Sequence, residues 1–148
     1  MVQMRVITKL SGVDQVLRDF PEQIDTIKRD VLERMASDIA LNSPVYTGTY
    51  VTKHQVGIRS GSFSANEVRT EWLPKVDDAE AASLQQQGYE NMLNDIAAIN
   101  IKSENFVFRN PMLYASIVEG DYGVYAQARK NAAIAVREAI EKARRSGQ

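Results

Sequence analysis

The chain has 148 residues, 44% hydrophobic, 25% charged and 7% aromatic, and 18 basic against 19 acidic side chains leave a formal charge of −1. With no cysteine and one histidine, disulfide frameworks, thiolate zinc sites and cysteine nucleophiles are excluded, and a zinc site would have to rest almost wholly on carboxylates. The balanced charge argues against a free-standing non-specific DNA binder, and no apolar run approaches the ~18 residues of a membrane span.

The amino terminus MVQMRVITKL lacks the apolar stretch and cleavage site of a signal peptide, so an intracellular or assembly-resident protein is expected. Length and uniform composition predict one domain over 1–148. In residues 2–9 the alternation of Val2, Met4, Val6 and Thr8 with Gln3, Arg5, Ile7 and Lys9 predicts a strand. Ser11-Gly12 ends it, and a helical turn through Val13, Val16 and Leu17 follows. Pro21 opens a long helix to about Leu41, whose apolar stripe is Ile24, Ile27, Val31, Met35 and Ile39. Asn42-Ser43-Pro44 stops it, because the residue before a proline disfavours helical geometry.

A turn at Val45–Gly48 leads to a predicted strand from Tyr50 to Arg59, with His54 on the face shared by Val56 and Ile58. The loop Ser60–Asn66 and a return strand Glu67–Leu73 complete a long hairpin. Asp77 or Asp78 caps a second long helix ending near Asn100, with Ala81, Leu84, Met92, Ile96 and Ile99 as its stripe. Gln85-Gln86-Gln87-Gly88 interrupts that stripe and suggests a kink or break. A strand over Ile101–Arg109 carries Phe106 and Phe108 inward. Asn110-Pro111 reads as the cap and first position of a short helix that Gly120 ends. The last helix, about Tyr125 to Arg145, offers a small-residue face of Ala132, Ala133, Val136, Ile140 and Ala143.

These elements predict an α+β fold: a small, mainly antiparallel sheet with a long hairpin, and long helices packed on one face. His54 is the one candidate general base or ligand, and its apolar strand face favours a satisfied structural role. Asp77, Asp78 and Glu80 suit a solvated helix start better than a cation site, and no glycine pattern matches a nucleotide fingerprint. No catalytic, cofactor-binding or metal residues are expected, and the protein is not read as an enzyme. Arg137, Lys142, Arg144 and Arg145 form a basic carboxy-terminal cluster that would serve a nucleic-acid-binding or regulatory module, the alternative function.

Two segments carry a resemblance. One is Asn42-Ser43-Pro44-Val45-Tyr46-Thr47-Gly48-Thr49-Tyr50, running from the long helix into a strand. The other runs from Phe106 to Gly120 and contains Asn110, Tyr114-Ala115 and Val118-Glu119-Gly120. In this order, with Ile7-Thr8, Ser11-Gly12-Val13 and Val16-Leu17 before them, they resemble the tail-completion and head–tail joining proteins of tailed bacteriophages: minor tail components, tail terminators and neck proteins. Tyr46 stands where that family has an acidic residue, and residues 74–100 look like a helical insertion.

The resemblance implies a structural virion protein at the neck or tail, assembled in the host cytoplasm. It would form a homo-oligomeric ring, with a hexamer favoured and a dodecamer possible. The ring would join head to tail or terminate the tail tube, against adjacent connector, neck or tail-tube proteins. DNA would pass through its channel without sequence-specific binding; no membrane or cofactor is implied. Terminator, connector and neck subtypes stay open. The motif residues are Pro44, Thr47, Gly48, Asn110, Tyr114, Glu119 and Gly120. A buried or interfacial Glu119 needs a cation, which Arg59, Arg69 or Arg109 would supply across a subunit boundary. Phe63, on the long loop between Arg59 and Arg69, would anchor that loop on an adjacent ring or tube.

Overall fold

The structure, a computed structural model, describes residues 4–9, 21–45, 50–58, 75–103, 105–112 and 115–146. Among the described residues three strands form one antiparallel sheet in the order β1-β3-β2: β1 is Met4–Lys9, β2 Gln55–Gly57 and β3 Asn105–Asn110. β3 pairs with β1 from Met4↔Asn110 to Lys9↔Asn105 and with β2 through Val56↔Phe108. As the central strand β3 is buried from Phe106 to Asn110. Four helices complete the described fold: α1 (Ile24–Asn42), α2 (Asp78–Ala98), α3 (Ala115–Tyr122) and α4 (Val124–Ser146). The fold class is α+β.

α1 is the central helix. It packs on α4 along one side and α2 along the other, which is why its buried set exceeds a single stripe: Ile27, Val31, Leu32, Met35, Ala36, Ile39 and Ala40. Both neighbours run antiparallel to it. Arg34 and Asp30 reach Glu138 and Lys142 of α4 in that order. On the other side Arg29 donates to Ile96 O (3.1 Å) and Gln85 of α2 donates to Leu41 O (3.4 Å). Arg29 thereby places a cation on a terminal carbonyl of α2, where the helix dipole favours it. Lys28, buried, donates to Ser103 O and docks the loop between α2 and β3 on the start of α1.

Several boundaries differ from the expected ones. Pro21–Gln23 is a 3₁₀ turn leading into α1. The expected strand from Tyr50 is shorter: Val51–Lys53 is a 3₁₀ turn, and only Gln55–Gly57 pairs with β3. Ile101-Lys102 is a turn held by Asn100, whose side chain accepts from Lys102 N (3.0 Å), so β3 begins at Asn105. α2 is continuous through Gly88 and ends at Ala98. Its amino-terminal half is largely exposed, and Gly88, Met92 and Ile96 are its buried positions. On α4 the buried alanines are Ala128, Ala135, Ala139 and Ala143, while Ala133 is exposed. The face on α1 is thus rotated by about one residue from the expected one, and its small side chains let the two helices approach closely. The predicted turn at residues 13–17, the loop 60–66 and the return strand 67–73 lie outside the described residues.

Candidate functional site

The two segments that carry the resemblance meet at a buried polar cluster. Ser43 closes α1 in extended geometry before Pro44, His54 precedes β2, Asn110 ends β3 and Tyr125 opens α4. Each is at most 2% exposed. His54 Nε2 lies 2.8 Å from Ser43 Oγ, and its Nδ1 lies 2.9 Å from Tyr125 Oη and 3.4 Å from Asn110 Nδ2. Asn110 also donates to Tyr50 O (2.9 Å) and accepts from Met112 N (3.0 Å) through Oδ1. The Tyr50 ring stands edge-on to the imidazole, centroids 4.8 Å apart.

The direction of each hydrogen bond follows from one fixed acceptor. Ser43 Oγ is 2.6 Å from Ile39 O, and a carbonyl only accepts, so the serine hydrogen belongs to that bond. The hydroxyl oxygen therefore accepts from His54, which places the imidazole proton on Nε2. Nδ1 is then the acceptor for Tyr125 O–H and Asn110 Nδ2–H. The chain runs one way, Tyr125 to His54 to Ser43 to Ile39 O. In this arrangement His54 presents a proton to Ser43 and no lone pair, so it does not act as a base toward that hydroxyl. Burial lowers the His54 pKa from 6.5 to about 3, and burial first, then Tyr50 and Glu119, raises that of Tyr125 well above its ordinary value.

Glu119 has partners within the chain that the sequence did not announce. They are backbone amides: Oε1 accepts from Tyr125 N (2.8 Å) and Oε2 from Ala126 N (3.0 Å). The carboxylate thus satisfies two of the unpaired donors at the start of α4 and sits at the positive end of its dipole. Of the arginines expected to reach it across a subunit boundary, Arg59 and Arg69 lie outside the described residues. Arg109, buried, donates from Nε to Gln55 Oε1 (2.8 Å) across the β2–β3 pair. Gly120 is exposed within α3 and does not end it. The break falls at Gly123, in the left-handed region at φ 60° that glycine tolerates, with its amide on Glu119 O (2.8 Å). Asn110 is the last residue of β3 and turns the chain by accepting from Met112 N through its side chain; the described part of α3 runs from Ala115.

A second set of contacts, not anticipated from sequence, fixes the segment that carries His54. Gly88, Asn91 and Asp95 recur on one side of α2 at helical spacing. A Cβ on Gly88 would stand 2.3 Å from Val51 O, so this carbonyl lies against the helix backbone. Asn91 Nδ2 donates to Thr52 O (3.1 Å), and Val56 N donates to Asp95 Oδ2 (3.0 Å). Burial raises the Asp95 pKa while the Val56 bond opposes that shift.

Of the remaining sequence candidates, Pro44 is half-buried beyond Ser43. Thr47, Gly48, Arg59, Phe63, Arg69 and Tyr114 lie outside the described residues. Asp77 caps α2, its side chain accepting from Glu80 N (2.8 Å). Among the described residues no group of three or more metal-ligating side chains is assembled, and no described helix is long and apolar enough to cross a membrane. An open groove of about 340 Å³ runs beside α1 between Tyr89 and α4, bridged by the Arg34–Glu138 pair at 2.6 Å. No protein-family model, curated protein or solved structure matches the chain.

Proposed function

We propose that the protein is a structural component of a tailed bacteriophage, forming a homo-oligomeric ring at the neck or tail end. The ring joins head to tail or terminates the tail tube around the DNA channel. The observation that supports this reading is the convergence of the two family-like segments. Ser43-Pro44 and Asn110, with Glu119 following on α3, are distant in sequence but are tied together through His54 and the start of α4. In this reading the motif residues build a rigid frame, and contacts to other subunits lie on the surfaces that the frame presents. One such surface is α3, where Ile117 is 67% exposed and Tyr122 63%. Side chains of this kind suit a subunit contact.

Light scattering and negative-stain imaging of the purified protein, alone and with tail tubes, test the proposal. Ring-shaped particles, hexameric in the favoured case, or protein seated at tube ends are expected. Sub-micromolar, sequence-selective DNA binding by a protein that forms neither would replace this reading with the regulatory one.

A further inference from the structure

The formal charge of −1 averages over an uneven distribution. α4 alone carries six cations, Arg129, Lys130, Arg137, Lys142, Arg144 and Arg145, against Glu138 and Glu141, so the rest of the chain is net acidic. Two of these eight charges are paired with α1 at the surface: Glu138 with Arg34 at 2.6 Å and Lys142 with Asp30 at 3.5 Å. The other five cations are exposed, and none has an ion pair or hydrogen bond among the described residues.

Their spacing makes a track. Lys130, Arg137 and Arg144 follow one another at seven-residue intervals, near the middle of the side opposite Ala128, Ala135 and Ala139. At 1.5 Å per residue the track is about 21 Å long. Ala126 and Ala133, both exposed, lie between the cations and leave room for another backbone to come close. Glu141 is the one anion on this face with no described partner.

We propose that this outward face of α4 is a docking surface for the phosphate backbone of duplex DNA, with Lys130, Arg137 and Arg144 as its axis and Arg129 and Arg145 at its margins. Charge complementarity selects a polyanion, since a duplex presents about one negative charge per 1.7 Å of axis. The face carries Ile134 as its only large apolar side chain, too little to seat a helix in a lipid surface. Phosphate contact alone confers no sequence preference, and with so few contacts the binding is weak enough for the duplex to slide. The choice of duplex DNA over another polyanion rests on the assembly reading above; the surface itself does not.

Fluorescence anisotropy with a short mixed-sequence duplex, titrated over a range of salt, tests the assignment. The wild-type protein should bind with a Kd of about 10–100 μM at physiological salt, with a log–log salt slope of about −3 to −4 for roughly four neutralised phosphates. Lys130→Gln, Arg137→Gln and Arg144→Gln together should weaken binding at least about tenfold and flatten the slope by about 2–3. Lys53→Gln, Lys75→Gln and Lys102→Gln together remove the same charge elsewhere and should change the affinity less than about twofold, and Glu141→Gln should strengthen it. Circular dichroism confirms that each variant folds. Equal losses in the two triple variants would overturn the proposal, as would tighter binding of the wild type to anionic phosphatidylserine vesicles than to the duplex. Imaging is scored separately: duplex binding without rings counts against the assembly reading alone, and rings without duplex binding count against this inference alone.

Discussion

Tyr125 and His54, 71 residues apart in the chain, meet in the core with the phenol oxygen 2.9 Å from Nδ1. Because Nε2 is committed to Ser43, the imidazole has one lone pair to offer, and Tyr125 is its main donor. Tyr125→Phe keeps the ring but removes this bond, leaving only the longer contact from Asn110. A loss of about 1–3 kcal/mol is expected, read as a lower midpoint in urea unfolding. An unchanged midpoint would mean that the phenol is not holding the histidine.

The same cluster sets an acid limit. Well above pH 6.5 His54 is neutral in both folded and unfolded chains and has no effect on the pH dependence. Below it the unfolded chain takes up a proton that the folded one refuses until about pH 3. Stability should therefore fall as pH drops through that window, by up to about 1.4 kcal/mol per unit from this group alone. His54→Gln removes the group and should flatten the slope between pH 6 and 4 (about one proton fewer taken up on unfolding), whatever it does to stability at pH 7. Unfolding midpoints measured across that range decide it; a slope unchanged by the substitution would assign acid sensitivity elsewhere.

Asn110 gives a sharper test of hydrogen-bond polarity. Its amide hydrogens face two acceptors, Tyr50 O and His54 Nδ1. Asn110→Asp is nearly isosteric but turns both contacts repulsive and buries a charge at a site 0% exposed. It should cost about 3 kcal/mol or more and exceed the penalty of Asn110→Ser. Thermal melts of the two variants compare them directly; an aspartate variant as stable as wild type would contradict the assigned geometry.

Gly88 should reverse the usual helix rule. Replacing an interior helical glycine by alanine normally stabilises by up to about 1 kcal/mol. Here the new methyl would meet a backbone carbonyl at 2.3 Å, and Gly88→Ala should destabilise by about 1–3 kcal/mol. Gly120→Ala is the control: nothing lies within 4 Å of its Cβ position, so that change should be neutral or favourable. Unfolding midpoints moving in opposite directions for the two variants are expected.

Glu119→Gln retains an acceptor for only part of the α4 cap and loses the charge–dipole attraction. A cost of about 1 kcal/mol is expected, rising to about 2 for Glu119→Ala. Amide hydrogen exchange at Tyr125 and Ala126 should accelerate in both; protection at wild-type levels would show that another group caps the helix.

Periodicity carried the long helices and the central strand, because the burial of Ile27, Val31, Met35 and Ile39, and of Phe106 and Phe108, is what writes a repeating pattern into a sequence. It failed where backbone atoms are held by distant side chains. Tyr50 to Lys53 alternate like a strand, yet Asn110 takes the carbonyl of Tyr50 and Asn91 that of Thr52, and the chain turns. Gly88 looked like an interruption of α2 because its reason lies on Val51, far away in the chain. Glu119 was legible as a residue needing a partner, but a carboxylate that accepts from backbone amides of the next helix leaves no mark of those partners in the sequence. The cluster itself was half visible: His54 and Asn110 stood out, whereas Ser43 and Tyr125 gained their roles only when α1 and α4 brought them within reach.

Asp95 has a consequence for how the protein behaves in a crowd of its own copies. A strand edge is a template, and any chain that presents free amides on one invites the next copy to add. Among the described strands β2 lies at one side of the sheet, and Val56 gives its amide hydrogen to a carboxylate anchored on α2; a three-residue strand with that donor occupied is a poor surface for growth. Val56 then has no amide hydrogen to offer a neighbouring copy, through whatever surface the two meet.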